Sequence, residues 1–194
     1  METFFDRWEH LIRLHENTPH LEVEIRLGKM NRGSFDTNVT HETFERVLRR
    51  LKKYTGWERI EESDTSRFYY DGGRRATYDN VKDDITECVQ KKRIVVDDAS
   101  LDHQPFDARL SLSSETPVPH VEDEEYTKVR NVKRTSFVRK NLRIDMSAVT
   151  GDSEDKDSEH EVEHQIELEL MCVPSSRNEL YNMIYKVFDV LKIT

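Results

Sequence analysis

The chain has 194 residues, with 39 acidic against 30 basic side chains, a formal net charge of −9, and charged and hydrophobic shares of 36% and 35%. The length fits one domain, and an apolar share below the usual figure of about 45–50% would mean disorder only if the charges came in blocks, whereas most lie within alternating segments. No run approaches the roughly 20 apolar residues of a membrane span, no signal peptide opens at Met1, and Cys88 and Cys172 form no CxxC, which excludes a disulfide framework and a thiolate zinc site. An intracellular setting with no membrane partner is expected, and so acidic a chain is a poor general binder of duplex phosphate backbones.

In chain order, Phe4, Trp8, Leu11 and Ile12 share one face of a predicted helix over about 2–15. A strand over 20–28 alternates Leu21, Val23, Ile25 and Leu27 with Glu22, Glu24 and Arg26. Phe44, Val47, Leu48, Leu51 and Tyr54 mark a second helix, with Thr40 as its N-cap. Strands are expected at 57–61 and 66–70, then, past an Asp71-Gly72-Gly73 hairpin turn, at 74–79 with Arg75, Thr77 and Asp79 on one face. The next, over 87–96, carries Lys91 and Arg93. The strand over 107–115 sets Arg109, Ser111, Ser113 and Glu115 against Ala108, Leu110 and Leu112.

Beyond Pro117 and Pro119, a strand over 126–138 places Lys128, Arg130 and Arg134 on one parity, interrupted by Val132, with Lys133 on the other. The strand over 141–149 alternates Arg143, Asp145 and Ser147 with Leu142, Ile144, Met146 and Ala148. A turn at Gly151 leads into 152–161, whose six acids and single Lys156 predict a solvated loop. The last strand, 161–172, lines up Glu161, Glu163, Gln165, Glu167 and Glu169, with Ile166, Leu168 and Leu170 opposite, and His160 and His164 on that apolar side. A helix over about 177–192 follows, capped by Ser176 and Glu179.

Acids thus concentrate on the outermost strands and bases on the middle ones. A ladder of glutamates repels itself unless a cation or basic side chains neutralise it. An antiparallel sheet with one wet face also alternates, but it usually mixes the two signs within each strand. The segregation suits a site for a hard divalent cation together with phosphate oxygens. A closed barrel with a polar interior would gather both sets.

At these residues the chain resembles the triphosphate tunnel metalloenzymes, in particular the fungal, protozoan and large-DNA-virus branch of mRNA-capping RNA 5′-triphosphatases. Glu22-Val23-Glu24-Ile25-Arg26-Leu27-Gly28 is similar to that branch's opening strand, and Ile166-Glu167-Leu168-Glu169-Leu170 to its closing one. Between them, Arg75-Ala76-Thr77-Tyr78-Asp79, Lys91-Lys92-Arg93-Ile94, Asp107 through Pro119 with its ExPxP ending, Arg134-Thr135-Ser136-Phe137 and Ile144-Asp145-Met146-Ser147 follow in family order. The resemblance spans about residues 20–172, and the compactness is similar to that of viral members.

It implies an α+β, mainly antiparallel fold: one domain over 1–194, built as an eight-stranded closed tunnel with flanking helices. It further implies removal of the γ-phosphate of 5′-triphosphate RNA as the first step of mRNA capping, with Mg²⁺ or Mn²⁺ as cofactor, and NTP hydrolysis with manganese. Glu22, Glu24 and Glu169 are the implied metal ligands. Arg75, Lys91 and Arg134 are implied triphosphate binders, with Arg93, Arg109, Arg130 and Lys133 (or Lys128) as further phosphate-binding bases. Glu115, Asp145 and Glu167 would orient the bases or the attacking water. Val132 stands where the branch carries a base, and Gln165 where it often carries a third glutamate, which Glu163 would replace. A separate guanylyltransferase is the implied partner. Inorganic tripolyphosphate, thiamine triphosphate or ATP as substrate, and a phosphate-binding module without catalysis, are the alternatives. Trp8, Trp57, Phe68, Tyr69 and Tyr70 are expected to pack, although aromatics at a tunnel mouth could stack RNA bases.

Overall fold

A computed structural model describes residues 2–122, 124–151, 162–174 and 176–194. The elements are α1 (Glu2–His15), β1 (Leu21–Asn31), β2 (Ser34–Asp36), α2 (His41–Lys53), β3 (Arg59–Tyr69), a single 3₁₀ turn at Asp71–Gly73, β4 (Arg74–Asp79), β5 (Asp84–Ala99), β6 (Asp107–Pro117), β7 (Lys128–Arg139), β8 (Leu142–Thr150), β9 (Glu163–Leu170) and α3 (Arg177–Leu191). Eight strands pair antiparallel in the order β1-β6-β5-β4-β3-β7-β8-β9, and β9 returns to β1 through Val23↔Leu170 and Arg26↔Glu167. The sheet is therefore a closed barrel. Closure leaves these strands no free edge and sends one face of each inward.

Both predicted caps are in place. The Thr40 side chain accepts from the Thr43 amide, and that of Ser176 from the Glu179 amide. The apolar stripes of the three helices lie on the outer faces of β1, β6, β8 and β9. Phe5, Trp8 and Ile12, Phe44 and Val47, and Leu180, Met183 and Val187 join Val23, Ile25, Leu110, Leu112, Ile144, Met146, Ile166 and Leu168 in one core outside the barrel. Burial at roughly 25 cal/mol per Å² of apolar surface makes this layer the main favourable contribution to folding.

Three features depart from the sequence expectation. The predicted strands at 57–61 and 66–70 are one, β3, because β7 pairs with its whole length from Arg59↔Val138 to Tyr69↔Lys128. That pairing carries the polar stretch Glu62-Ser63-Asp64-Thr65, whose own composition does not favour a strand. β5 extends at both ends to 84–99. β2 is an additional strand, joined to β1 by a two-residue turn in which Arg32 and Gly33 both have positive φ, at 46° and 91°. Gly28 makes room for it: a Cβ there would collide with the Asp36 carbonyl and the Phe35 ring.

Candidate active site in the tunnel

Because strand side chains alternate, the barrel register fixes which residues share the interior. β1 contributes Glu22, Glu24 and Arg26; β9 contributes Glu163, Gln165, Glu167 and Glu169; β8 contributes Arg143, Asp145 and Ser147. β6 and β5 add Glu115, Ser113, Ser111 and Arg109 with Lys91 and Arg93. Arg75 on β4, Tyr69 and Arg67 on β3, and Lys128, Arg130 and Arg134 on β7 complete the ring. Val89, Val132, Val138 and Val149 share this inward parity, and all four are buried yet stand outside the helix-covered core.

Within the tunnel the acids and bases are cross-linked. Lys91 Nζ donates to Glu22 at 2.6 Å and to Glu115 at 2.7 Å, and Arg75 donates to Glu115 at 3.0 Å. Ser113 Oγ donates to Glu22 at 2.5 Å. Arg26 pairs with Glu24 and, at 2.8 Å, with Glu167. Arg134 bridges Asp145 at 2.5 Å and Glu167 at 3.2 Å, and donates to Ser147 at 3.0 Å. Arg143 joins Asp145 to Glu169. Glu24 and Glu167 are each only 5% exposed, and Asp145 1%. Charges this deeply placed persist only because each has a partner of opposite sign.

The carboxyls nonetheless split into two sets. Burial, reinforced by Glu167 and Glu22, pushes Glu24 up to about 7 against the pull of Arg26. Burial, with Glu22, Asp145 and Glu24 adding to it, likewise pushes Glu169 up to about 7 despite Arg143. Glu115 and Glu167 go the other way. Burial opposes it, but Arg75 and Lys91 hold Glu115 below the usual carboxylate range, and Arg26 and Arg134 do the same for Glu167. Lys91 and Arg143 are correspondingly raised; desolvation works against this, and their acid partners overcome it.

The three implied metal ligands occupy one wall. Glu24 is the direct cross-strand partner of Glu169, and Glu22 lies two residues along the same face of β1. Among the described residues no three acidic, histidine or cysteine side chains already converge as an ion cage, since each of these glutamates is turned to a base, Lys91, Arg26 or Arg143. The donor set still fits a hard divalent cation: all oxygen, with two carboxyls made reluctant to ionise by burial and by the acids around them, a cost that a cation relieves. Asp145 Oδ1, and the Nε atoms of Arg67 and Arg75, are buried in the tunnel without a hydrogen-bond partner. Both signs of unfilled polar group therefore face the lumen.

The register brings Arg75, Lys91, Arg134, Glu115, Asp145 and Glu167 into one interior, and it corrects the placement of one base. Lys133, expected among the phosphate binders, points to the outer surface, where its side chain is 78% exposed and lies 3.9 Å from Asp64. No bulge interrupts β7, so Lys133 keeps the parity opposite to Arg134, while Lys128 and Arg130 face inward. Arg93 shares the inward parity of Lys91 and is exposed. Arg109 is held by Asp98 at 2.6 and 2.9 Å, an acid that the bulge between Arg93 and Val95 swings inward. Gln165 Nε2 donates to Glu163 at 3.1 Å, and the two occupy successive inward positions of β9, opposite Ser147 and Val149.

Three interior bases escaped the sequence reading of the site. Arg26 and Arg143 were visible by parity beside Glu24 and Asp145, whereas Arg67 lay at the start of an apparently short aromatic strand and carried no such signal. Trp8 and Trp57 pack as expected: Trp8 Nε1 donates to Asp97 at 2.6 Å and Trp57 Nε1 to the Leu51 carbonyl at 2.8 Å. His164 meets His41 at 3.1 Å, away from the glutamates, and His160 lies outside the described residues.

Comparison with known proteins gives this geometry a family. The family model described as mRNA capping enzyme, beta chain, matches residues 30–182, well over half of the chain. No curated protein is similar enough in sequence to count as a relative. Among solved structures, the Pct1 RNA triphosphatase of S. pombe is 16% identical with a TM-score of 0.81, the match covering 100% of this chain and 92% of that one; Pct1 has also been solved with the Spt5 CTD. The Mimivirus capping enzyme triphosphatase is 18% identical with a TM-score of 0.70, covering 99% and 98%. At these identities the structural likeness speaks for the fold, and the family match includes β9 with Glu167 and Glu169 but begins after Glu22 and Glu24 of β1. The chain thus belongs to the mRNA-capping triphosphatase family of tunnel enzymes, and by that membership it is a hydrolase.

Proposed function

We propose that the tunnel removes the γ-phosphate from 5′-triphosphate RNA in a metal-dependent reaction, the first step of cap formation, and also hydrolyses NTPs with manganese. The observation that supports this most directly is the β1–β9 seam. It sets Glu22, Glu24 and Glu169 on one wall, while Lys91, Arg75 and Arg134 come from β5, β4 and β7 around the same interior. Anion binding alone requires no such acids, which disfavours a silent phosphate-binding module.

Glu22, Glu24 and Glu169 would hold Mg²⁺ or Mn²⁺, which when bound supplies Lewis-acid polarisation of a phosphoryl oxygen. Lys91, Arg75 and Arg134 would bind the triphosphate oxygens and spread the charge that develops as the bond to the β-phosphate oxygen breaks. Water attacks the γ-phosphorus in line with that bond. Its proton leaves with the released phosphate, and the RNA keeps a 5′-diphosphate. Glu167, ionised because Arg26 and Arg134 overcome its burial, is a weak base suited to orienting the water by accepting its hydrogen bond. Glu115 and Asp145 position Lys91, Arg75 and Arg134 through the contacts described above. A separate intracellular guanylyltransferase would take the diphosphate end.

The test is phosphate release from γ-labelled triphosphate RNA, with and without manganese, beside a Glu22→Ala/Glu24→Ala double variant. Competition by inorganic tripolyphosphate ranks RNA against small polyphosphates. Metal-independent release, or full activity in a folded double variant, would overturn the proposal.

A further inference from the structure

Most interior bases are already engaged by carboxylates. Lys91 and Arg75 are tied to Glu22 and Glu115, Arg26 and Arg134 to Glu167, Arg143 to Glu169, and Arg109 to Asp98. On β3 and β7 the situation differs. Arg67 and Arg130 are direct cross-strand partners, and Tyr69 and Lys128 are the next inward-facing pair toward the mouth. Like charges directly opposite one another on adjacent strands are destabilising. Among the described residues no acid forms an ion pair with Arg67, and its Nε is buried without any hydrogen-bond partner. Its guanidinium is disfavoured first by burial and then by Arg134 and Arg75. A buried guanidinium with an unmet donor, set directly opposite a second arginine, is the kind of group that an anion completes.

The position of this pair says which anion. In the closed order β3 is four strands from β1 in either direction, so Arg67 faces the wall that carries Glu22 and Glu24 across the bore. Glu167 on β9 is near enough to influence Arg67 without bonding to it. A polyphosphate lying between the walls would therefore meet the acid side at one end and Arg67 with Arg130 at the other. Planar guanidinium forks match phosphate oxygens in pairs.

We propose that Arg67, with Arg130 opposite it, is a phosphate-binding residue for the part of the triphosphate remote from the glutamate wall, and that Tyr69 and Lys128 continue this strip to receive the first nucleotide. The inference rests on the reading of the tunnel as a triphosphatase, and it adds both a residue and a polarity: the RNA body leaves past Tyr69 and Lys128.

The experiment measures binding of inorganic tripolyphosphate by calorimetry in EDTA, together with KM and kcat on triphosphate RNA with manganese. Arg67→Ala should weaken tripolyphosphate binding by about ten- to hundred-fold, the range for losing a charged hydrogen-bonding group. Arg67→Lys, which keeps the charge but not the fork, should fall between. Arg67→Ala should also raise the melting temperature of the ligand-free protein, by relieving the burial of this guanidinium and its repulsion from Arg134 and Arg75, while shrinking the upshift that tripolyphosphate produces. A purely structural arginine would lower the first. Lys133→Ala, on the outer face, serves as the control. Tyr69→Ala should weaken triphosphate RNA by roughly tenfold more than tripolyphosphate, the scale of one stacked base.

Tripolyphosphate binding by Arg67→Ala equal to wild type, or no binding by wild type in EDTA, overturns the assignment. Equal losses for RNA and tripolyphosphate in Tyr69→Ala overturn the polarity. Wild type that binds tripolyphosphate but releases no phosphate from RNA contradicts the proposed function instead, so the two failures are distinct.

Discussion

Glu24 on β1 and Glu169 on β9 stand directly opposite one another at the seam that closes the barrel, and burial with the surrounding acids pushes both up to about 7. Unfolded, each titrates near 4.5. Between those values the folded chain holds protons that the unfolded chain has lost, so raising the pH through this window removes stability from the metal-free protein. A divalent cation needs the same carboxyls ionised. Manganese should therefore raise the melting temperature more at about pH 8 than at about pH 6. Thermal unfolding with and without the metal at both values checks this, and an equal rise at the two would contradict it.

Glu24→Gln and Glu169→Gln remove one of two facing acids without changing shape. Each should make the metal-free protein no less stable above about pH 7 while lowering metal-dependent phosphate release by at least about 100-fold. Melting curves and phosphate release on the same preparations separate the two effects. Loss of both stability and activity would point to a structural role.

Glu167→Ala should be costly in another way. It leaves Arg26 and Arg134 without a shared partner, and breaking a buried pair from one side costs about 3–5 kcal/mol. Urea unfolding reads this as a lower midpoint. Because Glu167 and Glu115 lie below the ordinary carboxylate range, the stability they contribute is present above 4.5 and is lost as the pH falls through their folded values. The wild type should therefore lose stability on acidification below the usual carboxylate range, and the Glu167→Ala variant should lose less.

Lys133 and Arg134 are neighbours on opposite faces. Lys133→Ala should change stability by no more than about 0.5 kcal/mol and leave phosphate release as in wild type. Arg134→Ala, which frees Asp145 and Glu167 from a shared guanidinium, should abolish release. Steady-state kinetics on the two variants decides whether strand alternation assigns the interior correctly.

Legibility of the strands follows where the helices lie. β1, β6, β8 and β9 carry α1, α2 and α3 on their outer faces, so their outward residues are apolar and their inward ones polar. That contrast writes a clean period of two into the sequence. β3 and much of β5 have no helix over them. Glu62, Asp64 and Ser66 outside, and Arg67 inside, are all polar, and alternation vanishes. For this reason the β3 sequence resembles two short strands, and nothing in it marks Arg67 as an interior residue.

The amino-acid order alone established the helix caps, the alternating acidic and basic strands, and the need for something to neutralise a row of glutamates. These are local matters: a cap needs a hydroxyl a few residues from an amide, and parity needs only a strand. Which acid meets which base was decided by the closed barrel. Pairing between distant strands set Glu24 against Glu169, a bulge in β5 turned Asp98 toward Arg109, and an unbroken β7 sent Lys133 outward. Register is a property of two strands at once, and no single stretch of chain contains it.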